Sequence, residues 1–385
     1  MRRREVLLVT ILIVFGVLYH LSEEEGIRFF GACSSDGRFL IDSDQAQDFP
    51  QPPHHFAGIS ALDIRNPAGE VVVERIEGDQ LVVNSTIRVS HRDKKRAEKI
   101  YARLRVKNES ISGNLKVRVL SEGRFPYKRV RIFFRIGIPG NVNLDITNRY
   151  GNVHITGAGE KISANIKYGD VVVERVVSNL HLRHGYGKIQ LVQVEGDLKL
   201  ETAYSKLKVE SAHSLVAQSK HTKMKLQGIG GGVQIKNSHN SIEMEDCGGD
   251  IEINTHHCRI GLKKILAKKL IIQNRHEDLT ISQLEAESVD VALSNGDLRL
   301  HFYRVGERIN LGTQYSKIIL EYPVSLSPLF NINVTYGKIK NTTAVEMDLW
   351  SGKYSELSTT EEGEPEIIIA NKYGDVILKN SDKLP

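Results

Sequence analysis

The sequence predicts an all-β protein built as a parallel β-solenoid of about fourteen rungs, each ~18 residues long. Three observations carry that expectation. A ring-bearing residue returns as Tyr150, Tyr168, Tyr186, Tyr204, His221, His239, His257 and His276, in steps of 18, 18, 18, 17, 18, 18 and 19 residues. The residues flanking each ring alternate apolar and polar with a period of two, as half-buried strands do. The strands so defined are about four to six residues long, too short for a sandwich, and many corners read Tyr-Gly-Asp or Tyr-Gly-Lys.

Aligned on the corner, seven columns are expected to face inward. For Tyr186 they are Leu180, Leu182, His184, Tyr186, Ile189, Leu191 and Val194; for His239 they are Val233, Ile235, Asn237, His239, Ile242, Met244 and Cys247. Downstream corners are expected at Asn295, Tyr315, Tyr336, Tyr354 and Tyr373, and a first rung at Leu62, Ile64, Asn66, Ala68, Val71, Val73 and Ile76. At a strand spacing of roughly 4.8 Å the stack would be on the order of 60 Å long. Each buried Val, Leu or Ile contributes about 1.5–3 kcal/mol, so the columns can offset chain ordering without metal or disulfide.

The N-terminus is expected to be a signal anchor. Residues 1–5, with Arg2, Arg3 and Arg4, read as a cytoplasmic tail, and 6–21 as a transmembrane helix followed by Glu23, Glu24 and Glu25. Positive charge before and negative after place the bulk of the chain outside a bacterial inner membrane. Sixteen residues rise about 24 Å, short for a ~30 Å core, so a cleaved signal peptide competes; no Ala-x-Ala follows the apolar run. Residues 22–55, with Pro50, Pro52 and Pro53, read as an extracytoplasmic tether, and 56–385 as the solenoid.

Residues 77–140 interrupt the repeat with longer alternating strands and one short helix over Arg92 to Arg103. This insertion holds 16 Lys or Arg against 6 Asp or Glu, a net of +10, while the whole chain carries only +5. It is expected to cap the open end of the stack, where unpaired edges would otherwise recruit other chains. Its bases, Arg92, Lys94, Lys95 and Arg96 among them, are also candidates for contact with anionic lipid or an acidic envelope polymer.

The segment Leu62-Asp-Ile-Arg-Asn-Pro-Ala-Gly-Glu-Val-Val-Val-Glu, the interruption ending at Ile138-Pro139-Gly140, and the Tyr-Gly-Asp-Val rungs resemble an uncharacterised bacterial adhesin-like family of β-strand-repeat proteins. The likeness runs from about Gly58 to Asn380, and more distantly extends to autotransporter-adhesin heads. It implies a membrane-tethered, right-handed β-helix-like rod without known enzymatic activity. Some relatives look like accessory partners of envelope-stress sensors. Between His221 and His276 the chain departs from the family's Gly-Asp corner, with Thr222, Asn240, Cys258 and Glu277 in place of Gly.

Few residues offer chemistry. His221, His239, His257 and His276, with His256 and Cys258 beside them, would stack about 5 Å apart as candidate metal ligands, but they replace tyrosine in one column and lack an acidic second shell. Asp278 and Asp297 are the neighbouring acids that a carbohydrate-active β-helix would need, although catalysis wants carboxylates converging on one substrate. Lys188, Lys206 and Lys223 form one basic column and Lys208 and Lys225 the next, so an anionic partner or simple exposure explains them. Cys247 and Cys258 fall in different columns and are not expected to pair, and Cys33 stands alone. No cofactor is implied, and no outward aromatics interleave with the bases as nucleic acid would require. The expectation is a non-enzymatic, adhesin-like surface-binding or envelope interaction protein.

Overall fold

Tyr150, Tyr168 and Tyr186 are register partners on three neighbouring parallel strands, so residues eighteen apart lie over one another. The computed structural model describes residues 46–381 apart from 141, 158, 344–347, 351–353 and 360–362. The chain divides into two units, Met1–Leu40 and Ile41–Pro385, and every described residue lies in the second. There the strands join one largely parallel sheet that winds from rung to rung, the arrangement of a β-solenoid.

Each rung repeats one local design. The apolar positions of the first strand, such as Leu180 and Leu182, and of the second, such as Ile189, Leu191 and Val194, are buried. Two left-handed bends return the chain. The first falls at the corner, on Gly151, Gly169 and Gly187 (φ 127°, 134° and 139°) or on the ring residue itself, as at Tyr204, His221 and His239 (φ 48°, 52° and 62°). The second falls seven residues on, at Arg175, Gln193, Ser211, Asp246 and Lys264. A Cβ on Gly169 would sit 2.2 Å from the Gly151 carbonyl oxygen, so glycine there serves close rung-to-rung approach.

A polar column inside each corner satisfies backbone carbonyls that the bend leaves over. Asn148 Nδ2 donates to the carbonyls of Gly69 (3.1 Å) and Gly151 (2.8 Å), and Asn274 Nδ2 to those of Cys258 (2.8 Å) and Glu277 (3.1 Å). His184 occupies the same column, between the Gly169 carbonyl and the Ser205 hydroxyl, both at 2.8 Å.

Four expectations are corrected. The corner rings do not face inward: Tyr186 is 44% and Tyr204 54% exposed, because the left-handed bend turns them out of the core. Tyr354 is not a corner, since Tyr354–Ser358 runs antiparallel to Leu329–Thr335, which removes one rung from the expected number. The rungs also leave chain order: Glu366–Lys372 pairs in parallel with Leu298–Gln314 on one side and Leu329–Thr335 on the other, so the Tyr373 rung lies between those of Tyr315 and Tyr336. Finally, the expected fold includes a transmembrane helix over 6–21. No helix among the described residues is long and apolar enough to cross a membrane, and that segment, with the tail at 1–5, Cys33 and the tether to residue 45, lies outside them.

The end of the expected tether is strand: Ala46–Pro50 and His54–Ala57 run antiparallel to Gln80–Ser90. Residues 77–140 bring further strands against the first rung. Asn114–Ser121 pairs with Ala61–Asn66, and Val130–Ile138 with Val71–Arg75, occupying edges that would otherwise be open. The helix Lys94–Tyr101 begins at Asp93, whose carboxylate accepts from the Lys95 and Arg96 N–H groups, and buries Ala97.

Candidate functional site

The corner rings form an outward ladder. From Tyr150 to His276 eight rings stack face to face, with centroids 4.6–5.1 Å apart and planes within 13°. Coplanar stacking aims the in-plane nitrogen lone pairs of His221, His239, His257 and His276 side by side rather than at one point, which is unsuited to shared coordination. No group of His, Cys, Asp and Glu among the described residues is arranged to hold a metal.

Beside the ladder, the outward face of the first strands is a long shallow groove. Towards the N-terminal rungs it forms a cleft of about 840 Å³, towards the C-terminal rungs a cleft of about 1090 Å³, and the two share Asn254 and His256. Register builds the floor: Glu201, Gln218 and Lys236 align on successive rungs, and so do Gln273, Ala292, Gly312 and Ala370. The cations lining it are Lys167, Arg183, Lys220, Lys236, Arg275 and Lys372, against one acid, Glu201. Glu201 is itself held by His181 (3.2 Å) and Arg183 (3.1 Å), which keep its carboxyl below the usual range. Lys167 and Lys372 lean on the ladder, with their ammonium groups 5.5 and 5.3 Å from the rings of Tyr168 and Tyr373. Lys220, Lys236 and Arg275 have no carboxylate within ion-pair distance among the described residues. Arg275 and Lys372 share one column but stand three rungs apart, with Ser294 and Gln314 between them, and Lys220 and Lys236 lie in different columns, so these unneutralised cations are spread along the groove, a distribution suited to an extended anion.

The candidates from sequence lie elsewhere. Lys188, Lys206 and Lys223 do align, as do Lys208 and Lys225, but on the second strand, past the corner. Some of that charge is neutralised, since Lys208 pairs with Glu210 and Lys223 with Glu243 (3.5 Å). Lys94, Lys95 and Arg96 are exposed in the first turn of their helix, where cations oppose the helix dipole, and Arg96 pairs with Asp93 at 3.7 Å. Arg92 is exposed just before the helix. Asp278 and Asp297 do not converge on open space, since each accepts a backbone N–H from the following rung. Cys247 and Cys258 are both buried and free, with burial pushing the Cys258 thiol up to about 11. The groove escapes sequence reasoning because its residues share no single chemistry. The signal available was a run of small residues, Ala292, Gly312 and Ala370, at outward positions where the strands elsewhere carry long polar side chains.

These features define an all-β protein of stacked parallel rungs, carrying one ring ladder and one basic groove. The profile of the Toastrack DUF4097 family matches residues 59–379, and the chain belongs to that family. Among solved structures, a candidate cell adhesion protein from Clostridium sporogenes is 10% identical, with 86% of this chain and 100% of that one covered at a TM-score of 0.16. A candidate adhesin from Bacteroides fragilis is also 10% identical, with 87% and 97% covered at 0.19. A candidate lipid-binding protein from Parabacteroides distasonis gives 10%, 87% and 97%, at 0.24. No curated protein matches the sequence.

Proposed function

We propose that the protein is a non-enzymatic, adhesin-like binding protein that holds an extended acidic polymer of the cell envelope along its groove. The observation that carries this reading is the spread of Lys220, Lys236, Arg275 and Lys372 on the first strands, with Glu201 the single acid on the groove's lining and already paired. Arg275 and Lys372 stand three rungs, roughly 14 Å, apart in one column, so an anionic chain lying along the groove meets fixed positive charge at intervals along its length. The basic capping insertion extends the positive field beyond one end of the groove.

The test is binding of the full-length protein to an acidic polysaccharide, to polyphosphate and to anionic lipid vesicles across a salt series. Polymer binding that weakens steeply with salt, and drops at least tenfold in a Lys220→Gln, Lys236→Gln double variant, supports the reading. Binding to vesicles alone, or polymer binding that this variant leaves unchanged, overturns it.

A further inference from the structure

The ring ladder is broken at one place. His276, Asn295 and Tyr315 are successive corners, joined by backbone hydrogen bonds from His276 N–H to the Ser294 carbonyl (2.8 Å) and from Asn295 N–H to the Gln314 carbonyl (3.0 Å). Only the middle one lacks a ring. Asn295 takes φ 56°, and Tyr315 and Tyr373 take 54° and 62°, so the backbone does not exclude tyrosine at 295. Two rung spacings, roughly 9.6 Å, separate the ring positions at 276 and 315. Beyond the Asn295 amide, which ends short of where a tyrosine ring would reach, that distance admits one puckered ring in van der Waals contact on both faces, at about 3.5–4.0 Å per contact.

The same cleft has a floor cleared of side chains. Ala292, Gly312 and Ala370 are register partners, and all three are exposed. Gly312 does not have a left-handed φ, and a Cβ built on it meets nothing within 4 Å. Neither turn geometry nor close packing therefore asks for glycine, which weakens a strand interior and marks close approach by something outside the chain. Around this floor stand the amides of Gln273, Asn295, Gln314 and Asn333 and the cations Arg275 and Lys372, with no carboxylate on the lining.

We propose that this break is a subsite for one acidic sugar residue. The sugar ring lies between His276 and Tyr315, its hydroxyls meet the amides, and its carboxylate meets Arg275 or Lys372. Planar amides match vicinal hydroxyls and guanidinium matches carboxylate, whereas polyphosphate has no ring to fill the slot. The proposal rests on the groove reading and adds a sugar class and a position to it.

The experiment compares the full-length protein with Asn295→Tyr, which completes the ladder, and Gly312→Val, which raises the floor. The probes are oligogalacturonate and polyphosphate. Thermal melting confirms folding, and Gly312→Ala serves if either variant fails to fold. The expected result is at least a tenfold loss of oligogalacturonate affinity in each variant, with polyphosphate affinity changed less than twofold. Oligogalacturonate binding within twofold of the parent in both variants overturns the subsite, as does a parent that binds polyphosphate alone; either result leaves the groove reading standing. A parent that binds neither polymer overturns both.

Discussion

Asp278 Oδ1 accepts the backbone N–H of Asp297 from the next rung at 2.9 Å, and Asp297 Oδ1 accepts that of Lys317 at 3.1 Å. The same bond joins Asn152 to Asp170 (2.9 Å) and Asp170 to Lys188 (2.7 Å). The acid of the Gly-Asp corner is thus a rung-to-rung acceptor, which explains why two acids can stack in this column. Asp278→Asn should keep the bond and the stability, since Asn152 does the same work. Asp278→Ala should cost about 1 kcal/mol, read as a shift of the denaturant midpoint at constant slope.

Burial holds His184 below the ordinary imidazole range, between the Gly169 carbonyl and the Ser205 hydroxyl. The unfolded chain takes up this proton near pH 6.5 and the folded chain only below that, so the unfolded state binds more protons in between. Stability should therefore fall as pH drops below about 6.5. His184→Asn places in this column the residue found at Asn148 and Asn274. It should flatten the pH dependence of unfolding between about pH 7.5 and 5.5; an unchanged slope would refute the assignment.

Gly169→Ala should be far more costly than Gly312→Ala. The first puts a Cβ 2.2 Å from the Gly151 carbonyl oxygen at φ 134°, whereas the second meets open space. A loss of roughly 1–3 kcal/mol from backbone strain, before any steric shift, is expected at Gly169. At Gly312 a small gain is expected, since alanine gives up less chain entropy on folding. Paired unfolding curves decide the contrast.

The thiols of Cys247 and Cys258 are buried, and burial raises both, that of Cys258 to about 11. Thiolate is the reactive form, so both should resist alkylation at about pH 8 in the native protein and react fully in denaturant. Peptide mapping of the alkylated sites checks this residue by residue.

What the sequence disclosed was whatever repeats with a fixed period. The columns through Leu182, Leu191, Leu200 and Val209 could be read because burial demands the same chemistry at each turn. The direction of the rings could not, because a column of tyrosines satisfies the same pattern inside or outside until the sign of φ at the corner is known. The rung order beyond Tyr315 was hidden because strand pairing is a distant choice: Glu366–Lys372 carries an ordinary rung pattern, and nothing in it says between which neighbours it inserts. The groove was hidden for the opposite reason. Arg275, Ser294, Gln314 and Lys372 are joined by register and not by type.

The placement of the last rung sets the timetable of assembly. A nascent chain can zip its rungs one upon another as they emerge, up to the one cornered at Tyr315. The Tyr336 turn has no parallel neighbour to receive it until Glu366–Ser381 has left the ribosome and slid into the waiting slot. Closure of this part of the sheet therefore waits for residues 366–381, and a product stopped short of them is left with unsatisfied strand edges, a ready trap for a second truncated copy.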